Sequence, residues 1–141
     1  MNTHVAIKRP TPPVLKTFNK ESAQKYVSGL AALWNTLDVD QMMQVFTEES
    51  RIEYIDKDPV VGLAAIRQML TDNFSNIATY ELKKIARLAV EPEITTELEI
   101  KWTTKTEPDV QQHARCLEIL RIENDKMTYW ERSPNFRIHK K

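Results

Sequence analysis

The chain has 141 residues, of which 41% are hydrophobic, and its 20 basic residues balance its 20 acidic residues to a net charge of zero. This length corresponds to one domain with a single core. The missing basic excess argues against a nucleic-acid partner, which would need positive charge to neutralise phosphates. The one cysteine, Cys116, allows no internal disulfide, and no apolar run is long enough to span a membrane. With no secretory signal pattern at the N-terminus, we expect a cytoplasmic protein.

Residues 1–18 differ in composition from the rest of the chain. They contain three of the seven prolines and show no hydrophobic period, which is typical of an extended or disordered arm. A proline-rich docking motif is the alternative, but the surrounding residues lack the context of such a ligand. We therefore expect a disordered arm over residues 1–18 and a single domain over residues 19–138.

The next segment carries apolar residues at helical spacing. Asn19 is placed to cap a first helix, Asp38 a short second one, and Gly62 precedes a third. The apolar stripes consist of Tyr26, Leu30, Leu33 and Leu37 in the first helix and of Leu63, Ile66, Leu70 and Phe74 in the third. Each of these helices is therefore predicted to bury one face.

Alternating apolar and polar residues predict strands in the remainder of the chain. One early strand starts at Ile52 and ends near Pro59, and four more follow as a meander. The predicted meander strands lie within residues 80–92, 96–102, 112–122 and 127–131. The predicted fold class is α+β, a cone-shaped, curved mixed β-sheet wrapped around the N-terminal helices with an internal pocket.

Polar residues interrupt the inner face of the early strand. The core residue Ile52 sets the parity of this face. The same parity is shared by Tyr54, Asp56 and Asp58, which we expect near the cavity mouth. A desolvated aspartate there would have a raised pKa and could serve as a general base. The alternative is that Asp56 and Asp58 lie solvated in the turn before Pro59.

A carboxylate also interrupts the apolar face of a later strand. Glu118 stands between Cys116 and Leu120 on that face, and a buried carboxylate is costly unless it is paired or neutralised. If Glu118 faces the cavity, desolvation is expected to raise its pKa. A β-bulge near Leu117 would instead turn Glu118 outward.

Three tryptophans, Trp34, Trp102 and Trp130, are suited to line an apolar ligand pocket. Tryptophan in a small domain is usually a core residue, but in a cone-shaped fold one wall serves both purposes. His113 is the only histidine within the predicted domain, and no other His or Cys lies at ligand spacing from it. We therefore expect a small apolar ligand as the partner and no metal site.

Short stretches at residues 34–40, 45–46, 62–67 and 120–127 resemble the nuclear transport factor 2-like superfamily. That superfamily includes ketosteroid isomerase, SnoaL-like polyketide cyclases and limonene epoxide hydrolase. The resemblance covers about residues 21–136 and implies a small-molecule-binding domain, acting on an apolar ligand as a cofactor-independent lyase, isomerase or cyclase. The superfamily also contains non-catalytic dimeric binding modules, so whether this chain is an enzyme stays open.

The site residues of ketosteroid isomerase match this chain only in part. Glu118 is similar to an acid that works protonated as a hydrogen-bond donor. The isomerase tyrosine falls at Leu30, and Tyr26, one turn earlier on the same face, becomes a ligand-binding candidate. The isomerase base falls at Tyr54 or at Asp58, depending on the alignment. These departures argue against steroid isomerisation.

The comparison with limonene epoxide hydrolase is also incomplete. The chain has Arg132 where that family has its final catalytic aspartate, so its way of activating water is not supported. The resemblance leaves Tyr54, Asp56 and Glu118 as the candidate catalytic residues.

The face opposite the predicted core is not uniformly polar. Leu117 and Ile119 have the parity of the outer face. Because a sheet with apolar residues on both faces usually covers the second one, we expect a homodimer across this face.

Overall fold

The computed structural model describes residues 9–140, the side chains of residues 136–140 excepted. In this range the elements are α1 Lys20–Trp34, α2 Val39–Met43, β1 Arg51–Tyr54, β2 Val60–Val61, α3 Leu63–Phe74, β3 Ile77–Val90, β4 Glu93–Thr104, β5 Val110–Glu123 and β6 Lys126–Lys140. The strands form one sheet in the order β2-β1-β6-β5-β4-β3. The pair of β1 with β6 is parallel and the other pairs are antiparallel. The predicted α+β class with a curved mixed sheet is confirmed.

Helix α1 supplies one side of the core. It begins where the side chain of Asn19 accepts a hydrogen bond from the Ser22 N–H at 2.8 Å, a regular N-cap. Its fully buried stripe includes Tyr26, Leu30 and Leu33. The helix ends at Trp34, and Leu37 lies beyond it with a φ of +56°, so the helical stripe is shorter than predicted. None of the described helices is long and apolar enough to cross a membrane.

Two side-chain amides of this region close the free edge of β3. The Asn35 amide donates to the carbonyl of Leu82 at 3.1 Å and accepts from its N–H at 2.8 Å. The side-chain amide of Gln24 binds the same edge of β3 at a later point. It accepts a hydrogen bond from the Ala86 N–H at 2.8 Å and donates one to the Lys84 carbonyl at 3.0 Å. Because an unpaired strand edge invites pairing with another chain, these amides protect it. They also fix α1 across the inner face of the sheet.

The arm predicted over residues 1–18 has a described part and an undescribed part. Residues 1–8 lie outside the described residues. In residues 9–18, Pro13 lies so close to Gly29 that a Cβ at the glycine would be 2.7 Å from the proline Cβ. Leu15 packs against the core, and its N–H donates to Asp125 at 2.8 Å. This part of the arm therefore rests on the domain, contrary to the expectation of disorder, because Gly29 leaves room for the proline ring.

The bounds of the first and the last strand along the chain differ from the predicted ones. The early strand ends at Tyr54 rather than near Pro59, and the turn that follows holds Asp56 at a φ of +70°. The last strand continues to Lys140. The early termination of β1 matters for the site, because it separates Tyr54 from the aspartates behind it.

Candidate functional site

A cavity of about 330 Å³ lies between α3, the end of α1 and the inner face of the sheet. Its volume is at the low end of the range for small-molecule sites, about 300–1,000 Å³. The lining residues are Trp34, Tyr54, Lys57, Asp58, Val60, Met69, Leu70, Asn73, Phe74, Ile77, Tyr80, Ile100, Trp102, Trp130, Arg132 and Pro134. Most of them are apolar or aromatic, so the cavity is suited to an apolar molecular frame.

Aromatic rings that contact one another form much of the cavity wall. Trp34 and Trp130 meet edge to face with ring centroids 5.7 Å apart. Phe74 and Tyr80 do the same at 5.1 Å. Edge-to-face pairs of this kind are favoured by the ring quadrupoles, and their packing holds the wall in place. The structure thus places all three candidate tryptophans, Trp102 included, at the cavity.

At this wall lies a group of three buried ionisable side chains, Lys84, Glu118 and Arg132, which we call the buried charge cluster. Lys84 Nζ is 2.8 Å from Glu118 Oε1, and Arg132 Nε is 3.2 Å from Glu118 Oε2. The side chains are 3%, 0% and 13% exposed, respectively. Strand register explains the grouping, since Glu118 on β5 is directly opposite Arg132 on β6.

Further hydrogen bonds saturate the carboxylate of Glu118. Thr96 Oγ1 donates to Oε1 at 2.9 Å, and the indole Nε1 of Trp130 donates to Oε2 at 2.5 Å. With Lys84 on Oε1 as well, both oxygens are occupied. Glu118 itself is not among the cavity-lining residues. It therefore supports the wall rather than meeting a ligand.

The protonation state of Glu118 is opposite to the predicted one. Burial raises the pKa of this carboxyl, but the positive charges of Lys84 and then Arg132 outweigh burial and hold the pKa below its ordinary value. The predicted raised pKa is therefore wrong, and Glu118 is ionised. The same burial lowers the pKa of Lys84, which the adjacent carboxylate opposes. The β-bulge alternative also fails, because Leu117 is exposed and Glu118 buried.

Arg132 connects the buried charge cluster with the cavity that it lines. Its Nη1 donates to the hydroxyl of Tyr54 at 3.1 Å, and its Nη2 lies 3.6 Å from the thiol of Cys116. The guanidinium stacks over Trp130 and Tyr54, 4.9 Å and 5.4 Å from the ring centroids. Neighbouring Tyr54 and Glu118 outweigh burial and raise its pKa, so the group stays charged.

The tyrosines and aspartates near the cavity divide into two groups. Tyr54 and Tyr80 line it, and burial raises the pKa of Tyr80, which keeps its hydroxyl protonated. Asp58 also lines it, with its side chain in the exposed rim beside Lys57. Asp56, a predicted candidate, is exposed in the turn and is not among the lining residues. The strand ends too early to carry Asp56 to the inner face.

Tyr26 does not reach the cavity either. It is fully buried in the core, and its hydroxyl donates to the carbonyl of Asp125 at 2.7 Å. Burial and the charge of Asp125 raise its pKa. The structure therefore makes Tyr26 an anchor for the turn between β5 and β6 instead of the predicted ligand contact.

Two residues of the site were missed at the level of sequence. Lys84 shares the parity of Leu82 and Ala86 on the inner face of β3, and this parity was the available signal. In the sequence, Arg132 drew attention only as the replacement of a catalytic aspartate. Its position two residues after Trp130 on the same strand indicates that both side chains lie on one face. Among the described residues, no group of three or more His, Cys, Asp or Glu side chains could hold a metal ion.

Sequence and structure comparisons place the chain within a known family. The SnoaL-like domain family matches residues 27–130, so the chain belongs to the SnoaL-like family, within the nuclear transport factor 2-like superfamily that the sequence resembles. No curated protein matches it significantly in sequence. The match includes Lys84 and Glu118 of the buried charge cluster and ends before Arg132.

Solved structures share the fold at low sequence identity. An epoxide hydrolase/cyclase-like enzyme of pyran ring formation in the polyether salinomycin, SalBIII, is 19% identical with a TM-score of 0.69, over 83% of this chain and 93% of that one. An epoxide hydrolase from M. tuberculosis similar to limonene epoxide hydrolase is 12% identical with a TM-score of 0.66, over 80% and 82%. A protein with a ketosteroid isomerase-like fold from Catenulispora acidiphila is 14% identical with a TM-score of 0.66, over 76% and 82%. At these identities the likeness concerns the fold alone.

Proposed function

We propose that this protein binds a small, largely apolar molecule in the cavity and acts on it as a cofactor-independent isomerase, lyase or cyclase. The observation that carries the proposal is the pairing of an aromatic cavity with two aligned hydrogen-bonding groups, Arg132 and Tyr54, at its wall. The aromatic rings favour an apolar frame, and the two polar groups favour a fixed orientation of one ligand oxygen.

Arg132 and Tyr54 are arranged to stabilise negative charge on that oxygen. The Tyr54 hydroxyl accepts a hydrogen bond from Arg132, so its own hydrogen is free to point at a ligand oxygen. A charged donor and a polarised hydroxyl in a site of low polarity are effective stabilisers of a developing oxyanion. Glu118 acts through Arg132 as a positioning residue, since it opposes the arginine across the strand pair.

Asp58 is the proposed general base. Isomerisation, elimination and cyclisation without a cofactor need a group that accepts a proton from the ligand. The proposal is supported by the position of Asp58 as the carboxylate among the described lining residues and by one of the two possible alignments of the sequence with ketosteroid isomerase. Asp56 is excluded by its position, and Glu118 by its three hydrogen-bond donors and its ion pair with Arg132.

Proton exchange tests this mechanism before the substrate is known. Small ketones and esters with one or two rings would be incubated with the protein in D₂O, and NMR would follow deuterium uptake next to the carbonyl. We expect uptake catalysed by the native protein, strongly reduced in Asp58→Asn and reduced in Tyr54→Phe. Asp56→Asn is the matched control and should retain the native rate. Exchange that survives Asp58→Asn would contradict the role of Asp58.

A non-catalytic dimeric binding module is the second candidate. It is favoured by the outer face of the sheet, where Leu117 on β5 and Ile85 on β3 are 61% and 54% exposed. Burial of such residues against a second copy would remove apolar surface from water. Ligand binding in the cavity without proton exchange for any bound compound would favour this candidate over the enzyme.

A further inference from the structure

We infer that the ligand of this cavity is an organic carboxylate, held by an ion pair with Arg132 and a hydrogen bond from Tyr54. The inference rests on the proposed function for the existence of a ligand and adds the ligand's charge. It starts from the charge balance of the buried cluster, where a single carboxylate, Glu118, faces two basic side chains.

Glu118 is committed mainly to partners other than Arg132. Its oxygens accept hydrogen bonds from Lys84, Thr96 and Trp130 at 2.8, 2.9 and 2.5 Å. Arg132 Nε lies 3.2 Å from Oε2, but this buried Nε has no hydrogen-bond partner of good geometry among the described residues. The contact is thus electrostatic, and the strongest bonds of the carboxylate go elsewhere.

The other contacts of Arg132 are with weak or neutral groups. One terminal nitrogen donates to the hydroxyl of Tyr54, and the other lies 3.6 Å from the thiol of Cys116. Burial raises the pKa of that thiol, so it carries no charge to offer. A guanidinium is a fork of N–H donors suited to the two oxygens of a carboxylate. Arg132 therefore retains capacity for an anionic partner on its cavity side.

The remaining charges of the cavity orient such a ligand. Lys57 and Asp58 lie side by side at the exposed rim and offset each other, while Arg132 is 13% exposed and set against Trp130. The buried end of the cavity carries the positive charge of Arg132, whereas the charges of Lys57 and Asp58 at the rim cancel. This distribution favours a molecule that enters with its carboxylate first. The cavity volume of about 330 Å³ limits its frame to one or two rings.

Matched acid and amide pairs test the charge of the ligand directly. Isothermal titration would compare benzoate with benzamide and 2-naphthoate with 2-naphthamide on the full-length protein near neutral pH, where both acids are ionised. Within each pair that binds, we expect the acid to bind about tenfold tighter or more, as for a hydrogen bond to a charged group. Amides that bind as tightly as their acids would overturn the inference and leave the proposed pocket intact. If neither acids nor amides bind, the inference and the proposed pocket both fail.

Variants then assign the preference to Arg132. Arg132→Gln should reduce the acid-to-amide ratio to about one, whereas the control Arg115→Gln, which removes an exposed arginine from the outer face, should leave it unchanged. Lys57→Met, which removes the other basic side chain of the lining, should keep most of the preference, since Lys57 is exposed at the rim. If Arg132→Gln fails to fold, Lys57→Met and the native pairs still decide. A preference lost in Lys57→Met would overturn Arg132 as the anchor.

Discussion

Two glutamates on neighbouring strands each lie between two basic side chains, one on each face of the sheet. On the outer face, Glu97 is 3.1 Å from Arg87 and 2.8 Å from Arg115, and their side chains are 27%, 60% and 64% exposed. On the inner face, Glu118 has the same arrangement with Lys84 and Arg132 but is fully buried. Each glutamate has two basic neighbours, but only Glu97 is in contact with solvent. A difference between the two in stability or titration therefore reports mainly the effect of burial.

Exposure to water determines how much each group of charges contributes to the stability of the fold. Exposed ion pairs contribute about 0–1 kcal/mol, because hydration competes with the partner and salt screens the charges. A buried pair has lost that hydration, so removal of one partner leaves charges that nothing compensates. The outer network is therefore an ordinary surface feature, while the inner cluster determines where Arg132, and with it the polar end of the cavity, lies.

The largest contrast is expected from removal of each glutamate. Glu118→Gln should lower the free energy of unfolding by about 3–5 kcal/mol, because two buried basic groups lose their counter-charge. Glu97→Gln should lower it by less than about 1 kcal/mol. Urea unfolding at neutral pH measures both. Equal losses for the two variants would show that the inner cluster is solvated. The raised pKa expected from the sequence, which does not reveal Lys84, would instead leave the stability of Glu118→Gln equal to that of the native protein or slightly higher.

That reversal shows where sequence reasoning succeeds and where it stops. The alternation of apolar and polar residues along β5 predicts that Glu118 faces the core and Leu117 faces solvent. The helical spacing of apolar residues predicts the buried stripe of α1. These features depend on neighbours in the chain. The ionisation of Glu118 depends on Lys84, which is 34 residues away in sequence, and no local pattern reveals such a partner. The fold was therefore predictable, whereas the charges that define the site were not.

Two candidates lie away from the cavity, Asp56 because its strand ends early and Tyr26 because a distant backbone carbonyl binds its hydroxyl. Asp56 had the correct parity, but the strand ends at Tyr54 and the backbone turns at a positive φ. Tyr26 had the correct helix face, but its hydroxyl is held by the carbonyl of Asp125. Strand ends are the least reliable part of a sequence-based prediction, and the acceptor of Tyr26 lies 99 residues away in the chain, so no local pattern reveals either event.

The second expected effect is on the titration of Glu118. Its folded pKa is lowered from the ordinary 4.5, so between these two pKa values the unfolded chain binds more protons and stability rises with pH. The stabilisation is thus complete above pH 4.5 and is lost as the pH falls through the folded pKa. Carbon-13 NMR of the side-chain carboxyl should show a midpoint below 4.5. Lys84→Met, which removes the largest charge effect, should raise it. A midpoint at or above the ordinary value in the native protein would contradict the ionised cluster.

The third expected effect concerns the outer face, proposed above as a homodimer interface. Leu117→Lys places a charge among exposed apolar residues of β5 and should convert a dimer into a monomer without affecting the cavity on the other face. Light scattering at tens of micromolar reports the mass, and Lys101→Leu, on the same face of β4, is a control that adds no charge. A native protein that is already monomeric at this concentration would exclude the dimer.

The smallest expected effect is the response of the two glutamates to salt. At about 1 M NaCl the screening length falls to about 3 Å, which reaches the exposed charges around Glu97 but not the buried ones around Glu118. The small loss of stability caused by Glu97→Gln should therefore decrease further between low and high salt, whereas the loss caused by Glu118→Gln should persist. Urea is the denaturant to use, since it adds no ions. Differences between each variant and the native protein cancel the general effect of salt on apolar burial. If the two losses decrease in parallel, water and ions reach the inner cluster, and Arg132 meets its ligand as a solvated surface group would.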